Sequence, residues 1–242
     1  MRLALETASD RASVALGGGS AATFEREVTG SRRHAAALLP MMSAVLREAG
    51  ATLDDVTELV LSDGPGSFTG LRVGAAVAKA LVQARGLPLW TVPSLLVRAA
   101  GVGRAGTTVL AVSDALRGEL YAAAYRFEEG STSRTVVEVL KPSVYGTDAL
   151  VGGTPRPDLL VGEAPEPLRR ALEHWAGSEL VSPPAGAPHA RTMLGLVGIA
   201  GGAARVEAVQ GWEPTYGRPA EAQARWETAH GRPLPDSIGS RG

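Results

Sequence analysis

"LALETASDRASVAL" (residues 3–16) and "LAVSDALRGELYAA" (residues 110–123) can be laid side by side. Each runs an apolar strand into an acidic residue, Glu6 or Asp114, then a tight turn and a second strand. The flanking segments repeat as well. Apolar and alternating runs predict strands over 2–8, 12–18 and 22–28, and helical spacing predicts a helix over 34–49. A strand over 57–63, a helix over 70–85, a strand over 88–92 and a helix over 94–101 follow. The second half predicts strands over 107–113, 118–127 and 133–140, then a short helix over 146–150. A strand over 158–162, a helix over 165–176, a brief strand over 179–182 and a helix over 190–204 complete it. Both halves read βββαβαβα, an internal duplication. Gly17, Gly18 and Gly19 with Ser20 predict a hairpin turn, and "TLDD" (52–55) predicts a capped turn of helix.

The Gly-rich stretch over 101–106 divides the chain into a first lobe, 1–102, and a second, 103–204. Trp212, Tyr216 and Trp226 mark 205–230 as a segment that packs back on the first lobe. Residues 231–242, rich in Pro and Gly, are expected to be a disordered tail. A duplicated α/β unit of this order resembles the actin, hexokinase and Hsp70 superfamily, the two-lobed actin-like (ribonuclease H-like) ATPase fold. In that superfamily two hairpins hold the phosphates of a nucleotide from either side. By that analogy the nucleotide-binding candidates are Glu6, Thr7, Ser9 and Asp114. The plainer reading of Glu6 and Asp114 is a strand-end carboxylate that caps its turn, and fold does not fix function.

Composition narrows the function classes. A net charge of −1 argues against a protein that grips nucleic acid by itself. The absence of cysteine excludes disulfides, thiolate catalysis and Cys-ligated zinc. "MRLALETAS" enters a strand pattern directly and lacks the apolar stretch of a signal peptide. No uncharged apolar run is long enough to span a bilayer, so a soluble cytoplasmic protein without membrane contact is expected.

"SDGPGSFTGLRVG" (62–74) joins a predicted strand to a predicted helix and invites a phosphate-binding reading. The P-loop requires Gly-Lys-Ser/Thr, and here Leu71 and Arg72 follow Gly70. The dinucleotide fingerprint requires a third glycine where Thr69 stands. Pro65 also removes an amide donor. A strand-to-helix turn capped by Ser67 or Thr69 is the stronger reading. No two histidines stand four apart, so the His-x-x-x-His metal pair is absent, as is a Gly-x-Ser-x-Gly elbow. No metal site and no catalytic residue is expected.

Two helices carry more apolar surface than a lone domain needs. Gly70, Gly74 and Ala78 put small residues on one face of the 70–85 helix, where a second helix could approach closely. In the 34–49 helix Ala35, Leu38, Met42, Val45 and Ala49 form one stripe and Ala37, Met41 and Ala44 a second. The first is expected to face the core and the second a partner. Pro40 removes a backbone bond or starts a kink.

"GPGSFTGLRVG" (64–74) resembles the signature of the bacterial TsaB (YeaZ) family, part of the machinery that makes threonylcarbamoyladenosine at position 37 of tRNA. "LALETAS" is similar to that family's first strand, with Glu6 where Asp is usual, and "RRHAAALLPMM" to its first helix, with His34, Leu38 and Pro40 matching. "SDALRGELYAA" is similar to the start of its second lobe, with Arg117 displaced, and "EPTYGR" (213–218) to a segment near its C-terminus. The resemblance implies a non-catalytic scaffold that activates its larger paralogue TsaD, the transferase, and with it recruits the ATPase TsaE. Contact with tRNA would be indirect, and a homodimer would form when TsaD is absent. No cofactor is expected for the isolated chain; ATP or ADP would sit at a subunit interface of the complex. The implied partner-binding residues are His34, Ala37, Met41, Ala44, Gly70, Leu71, Gly74 and Ala78. The alternatives are an ATP-dependent small-molecule kinase of the same superfamily and a peptidase. The missing phosphate-loop signals weigh against the first, and the missing nucleophile–base or metal pair against the second.

Overall fold

Alternation along the strands sets the layers. Leu3 and Leu5 point to one side of the first strand and Ala4 to the other, and all three are fully buried. A strand buried on both faces needs cover on both. The computed structural model describes residues 1–18, 21–30, 33–130, 134–217 and 230–231.

The first lobe contains β1 (Arg2–Glu6), β2 (Arg11–Gly18), β3 (Ala21–Thr29), α1 (His34–Glu48), β4 (Glu58–Ser62), α2 (Phe68–Arg85), β5 (Leu89–Val92) and α3 (Ser94–Val102). The second contains β6 (Thr108–Asp114), β7 (Leu120–Glu129), β8 (Arg134–Tyr145), α4 (Thr147–Gly153), β9 (Leu159–Gly162), α5 (Glu166–Ala176) and β10 (Leu180–Val181). After it come α6 (Ala190–Leu194) and β11 (Ala204–Arg205). One sheet runs β11-β5-β4-β1-β2-β3 and the other β10-β9-β6-β7-β8. Without β11 the two orders are the same, with an antiparallel first hairpin and parallel pairs beyond it. This is the expected two-lobed actin-like α/β architecture.

Three cores follow. Leu3, Leu5, Val14, Leu16, Leu59 and Leu61 meet α1 and α2 on the outer face of the first sheet. Leu110, Val112, Leu120 and Leu160 meet α4 and α5 on the outer face of the second. Between the sheets, α3 and α6 lie against Ala4, Ala15, Val60, Val109, Ala111 and Ala123. Residues 94–99 of α3 are all buried, as a helix covered on both sides must be.

Several elements differ from expectation. The helix expected over 190–204 stops at Leu194, because Gly195, Gly198, Gly201 and Gly202 follow. A Cβ on Gly202 would overlap the Leu196 carbonyl. The strand expected over 133–140 continues to Tyr145 along β7 with irregular register. α1 runs through Pro40, which lies on its exposed side. Thr52 donates its amide and its hydroxyl to Asp55 Oδ2 (2.8 and 2.9 Å), the capped turn that "TLDD" predicts.

The chain returns to the first lobe through α6 and β11. The Ala190 amide donates to Ser13 Oγ on β2 (2.8 Å), and β11 then pairs with β5. Val206, Val209 and Trp212 pack on the outer core of the first lobe. Ser20, Trp226, Arg218 and the tail after residue 231 lie outside the described residues.

Candidate functional site

The loop 64–70 leaves β4 and starts α2, with Ser67 Oγ accepting the Gly70 amide as the N-cap (3.2 Å). It lies directly on the turn between β1 and β2, where the Ser67 amide donates to the Ala8 carbonyl (2.7 Å). A Cβ on Gly66 would overlap that carbonyl, and one on Gly70 the Thr7 carbonyl. A Cβ on Gly74 would overlap Thr7 Oγ1, and one on Gly64 the Thr215 carbonyl. The glycines of the motif are therefore a packing seam between backbones. Tyr216 closes the seam from outside, buried on Ala8 and Leu71 with its ring 4.7 Å from Phe68.

Glu6 and Thr7 are fully buried. Glu6 Oε1 accepts the Ala8 amide (2.6 Å), and Asp114 Oδ1 accepts the Leu116 amide (2.7 Å). The duplicated acids thus do the same work two residues ahead, capping a turn. In the second hairpin the cap helps hold Leu116 (φ 63°) and Arg117 (φ 57°) in the left-handed region. Ser9 Oγ bonds both the amide and the carbonyl of Arg11. The cavity left between the turns, against Ala8, Ser9, Ser94, Arg98 and Ser113, is about 10 Å³. That is room for one water at most. Of the four nucleotide candidates, Glu6, Ser9 and Asp114 are thus engaged by their own turns, and Thr7 is buried against α2. Among the described residues no group of three His, Asp or Glu side chains is placed to hold a metal ion.

The acids of this region carry unusual protons. Burial pushes Glu6 up to about 7, against the smaller pulls of the Ser62 hydroxyl, the Ala8 amide and the Arg98 guanidinium. Burial likewise pushes Asp63 up to about 6. Arg98 is held below its ordinary range by burial, with Glu163 and Glu6 opposing.

Most of the residues expected to bind a partner lie inside the first lobe. His34, Met41, Gly70, Leu71, Gly74 and Ala78 are buried within their own lobe, and Ala37 and Ala44 are half-buried. Gly70 and Gly74 face Thr7, so the small face of α2 serves the seam. His34 holds the Asp10 carbonyl through Nε2 (3.2 Å). Met41 shares the outer core with Leu38, Met42 and Val45, because α1 packs on β2 and β3 and also beside α2. Its buried arc is wider than one stripe. The outward side of α1 is Ala35, Ala36, Leu39, Pro40 and Ser43, and that of α2 includes Arg72, Ala76 and Ala80. Leu39 is 56% exposed. The signal that could have found it is its place on the helix wheel, about 100° round from Leu38 and about 120° from Val45, off the buried arc.

A family model described as TsaD, tRNA N6-adenosine threonylcarbamoyltransferase, matches residues 28–150, half of the chain. The tRNA threonylcarbamoyladenosine biosynthesis protein TsaB of Escherichia coli is 36% identical over 146 residues, 59% of this chain and 63% of that protein. The chain thus spans less than two thirds of the length of the curated relatives it matches. A Pseudomonas aeruginosa crystal structure, described as having similarity to peptidase YEAZ, superposes with a TM-score of 0.67 at 25% identity, covering 90% of this chain and 99% of that one. YeaZ from Pseudomonas aeruginosa superposes with a TM-score of 0.57 at 28% identity, covering 81% and 90%. No helix among the described residues is long and apolar enough to cross a membrane.

Proposed function

The chain belongs to the TsaB/YeaZ family, and on that premise we propose that it is the non-catalytic, partner-binding subunit of the apparatus that makes threonylcarbamoyladenosine in tRNA. The transferase would be a larger paralogue, TsaD, and the ATPase TsaE would join through the pair. The observation that carries this reading is the division of labour between two faces. The two hairpin acids cap their own turns, and the cavity beside Arg98 between those turns is about 10 Å³. The outer side of α1, by contrast, leaves Leu39 uncovered beside alanines and Pro40. An exposed aliphatic group in such surroundings suits burial by another protein.

Reconstitution tests it. The chain is mixed with TsaD, TsaE, tRNA and threonylcarbamoyl-AMP, and the modified nucleoside is counted by mass spectrometry. The chain alone should form none and hydrolyse no ATP above background, while its omission should cut product at least tenfold. Product at the full rate without the chain would refute the proposal, as would steady ATP turnover by the chain that Glu6→Ala abolishes.

A further inference from the structure

The outward sides of α1 and α2 carry a single charge between them. Positions 35, 36, 39, 40 and 43 of α1 are exposed and uncharged, and so are positions 69, 76 and 80 of α2. Arg72, also exposed, stands in that α2 stripe at helical spacing from 69 and 76. Both helices lie on the outer face of the first sheet. Their first turns meet, since a Cβ at Gly70 would lie 3.3 Å from His34 Nδ1.

The cations of α2 are Arg72, Lys79 and Arg85. The last two have acids in their own chain: Lys79 Nζ lies 2.9 Å from Glu213 Oε1, and Arg85 pairs with Asp54. Among the described residues Arg72 meets no carboxylate and donates no hydrogen bond. Its guanidinium carbon lies 4.5 Å over the centre of the Phe68 ring, and that ring is itself packed 4.7 Å from Tyr216. The stacked guanidinium is held on a ring that the seam fixes, so little freedom is left to lose when its N–H groups find an acceptor.

We infer that the partner covers this surface with an apolar segment that brings one Asp or Glu carboxylate onto Arg72, an inference that rests on the partner-binding reading of α1 above. Covering the helices strips water from the guanidinium, and a buried charge without a mate is strongly unfavourable. A carboxylate matches its planar fork with two parallel bonds. A nucleic-acid backbone would bring several phosphates to a surface whose outward helix positions offer one cation among alanines, Leu39 and Pro40. The ion pair sets the register of the partner segment along α2, and a basic side chain at the same place is repelled.

The full chain and TsaD test this, with a carbodiimide as the probe, because it joins an amine to a carboxylate in contact with it. In the Arg72→Lys chain bound to TsaD, mass spectrometry should find residue 72 joined to an Asp or Glu of TsaD, with the Lys79–Glu213 link as the internal control. Arg72→Met strands the partner's carboxylate and should bind TsaD roughly tenfold or more weakly, while the melting temperature of the free chain moves by less than about 2 °C. The inference is overturned if residue 72 joins no carboxylate of TsaD, or if Arg72→Met binds TsaD as the parent does. Loss of tRNA binding alone in Arg72→Met would likewise overturn it and place a phosphate there. If Leu39→Asp abolishes TsaD binding while Arg72→Met is neutral, the α1 face stands and the carboxylate falls. If the parent does not bind TsaD, both fall.

Discussion

Gly70→Ala lowers the melting temperature by roughly 10 °C, and Gly101→Ala leaves it nearly unchanged. The new Cβ at residue 70 meets the Thr7 carbonyl, and the backbone on neither side has room to give. Thr7 lies in the buried turn after β1, and residue 70 lies in the first turn of a helix packed on β4. Relief therefore requires α2 to leave its sheet, at a cost of about 4 kcal/mol, beyond ordinary overpacking. Gly101 is the control, because a Cβ there meets nothing within 4 Å and alanine suits a helix better than glycine. Thermal unfolding followed by circular dichroism decides it. A Gly70→Ala protein that melts within about 2 °C of the parent would show that the motif is not a packing seam.

On α1, Leu39→Asp keeps the fold and lowers affinity for the partner by on the order of a hundredfold or more, whereas Met41→Asp unfolds the first lobe. Leu39 is 56% exposed, so water solvates a carboxylate there in the free chain. Under a partner the same charge is buried without a mate. Met41 is 8% exposed and sits among Leu38, Met42 and Val45. An aspartate at that position has no cation to meet and costs several kcal/mol, a large part of a domain's stability. Melting temperature and sedimentation with and without TsaD measure the two effects separately. A stable Met41→Asp chain that no longer binds, beside a Leu39→Asp chain that binds as the parent does, would reverse the assignment of the two faces.

The contrast between those neighbours also shows what was legible from residues alone. The duplication was legible because strand alternation and turn residues are local, and both sheets take the same strand order. The cap at "TLDD" and the Ser67 N-cap were legible for the same reason. The face of α1 was not. Helical spacing separates Leu38 from Met41, but only tertiary packing shows that the buried arc extends over both. The small face of Gly70 and Gly74 carried the same ambiguity. Small residues allow close approach, but nothing local says whether the approaching atom belongs to a partner helix or to Thr7. Glu6 was found from its position at the strand end. Its full burial, which raises its proton affinity, depends on tertiary packing that no spacing rule gives.

The pairing of β11 with β5 has a consequence for how the protein emerges from the ribosome. The first lobe begins the chain, yet its edge strand and its outer aromatic cover, Trp212 and Tyr216, are made more than 100 residues later. The second lobe is continuous from β6 to β10 and needs nothing synthesised after it to complete its sheet. Translation therefore completes the second sheet first, its inner face still awaiting α6, and leaves the first sheet open at β5 and at the loop 64–70. At ordinary elongation rates the first lobe waits on the order of ten seconds for its closing segment. Nascent chains stalled at successive lengths should release tension once when β10 has cleared the exit tunnel and again only after Tyr216 has. A single release near residue 102 would mean that the first lobe folds without its C-terminal cover. The N-terminal lobe is thus the last part of this protein to be completed, and until then its unpaired strand edge is exposed to chaperones and to other nascent chains.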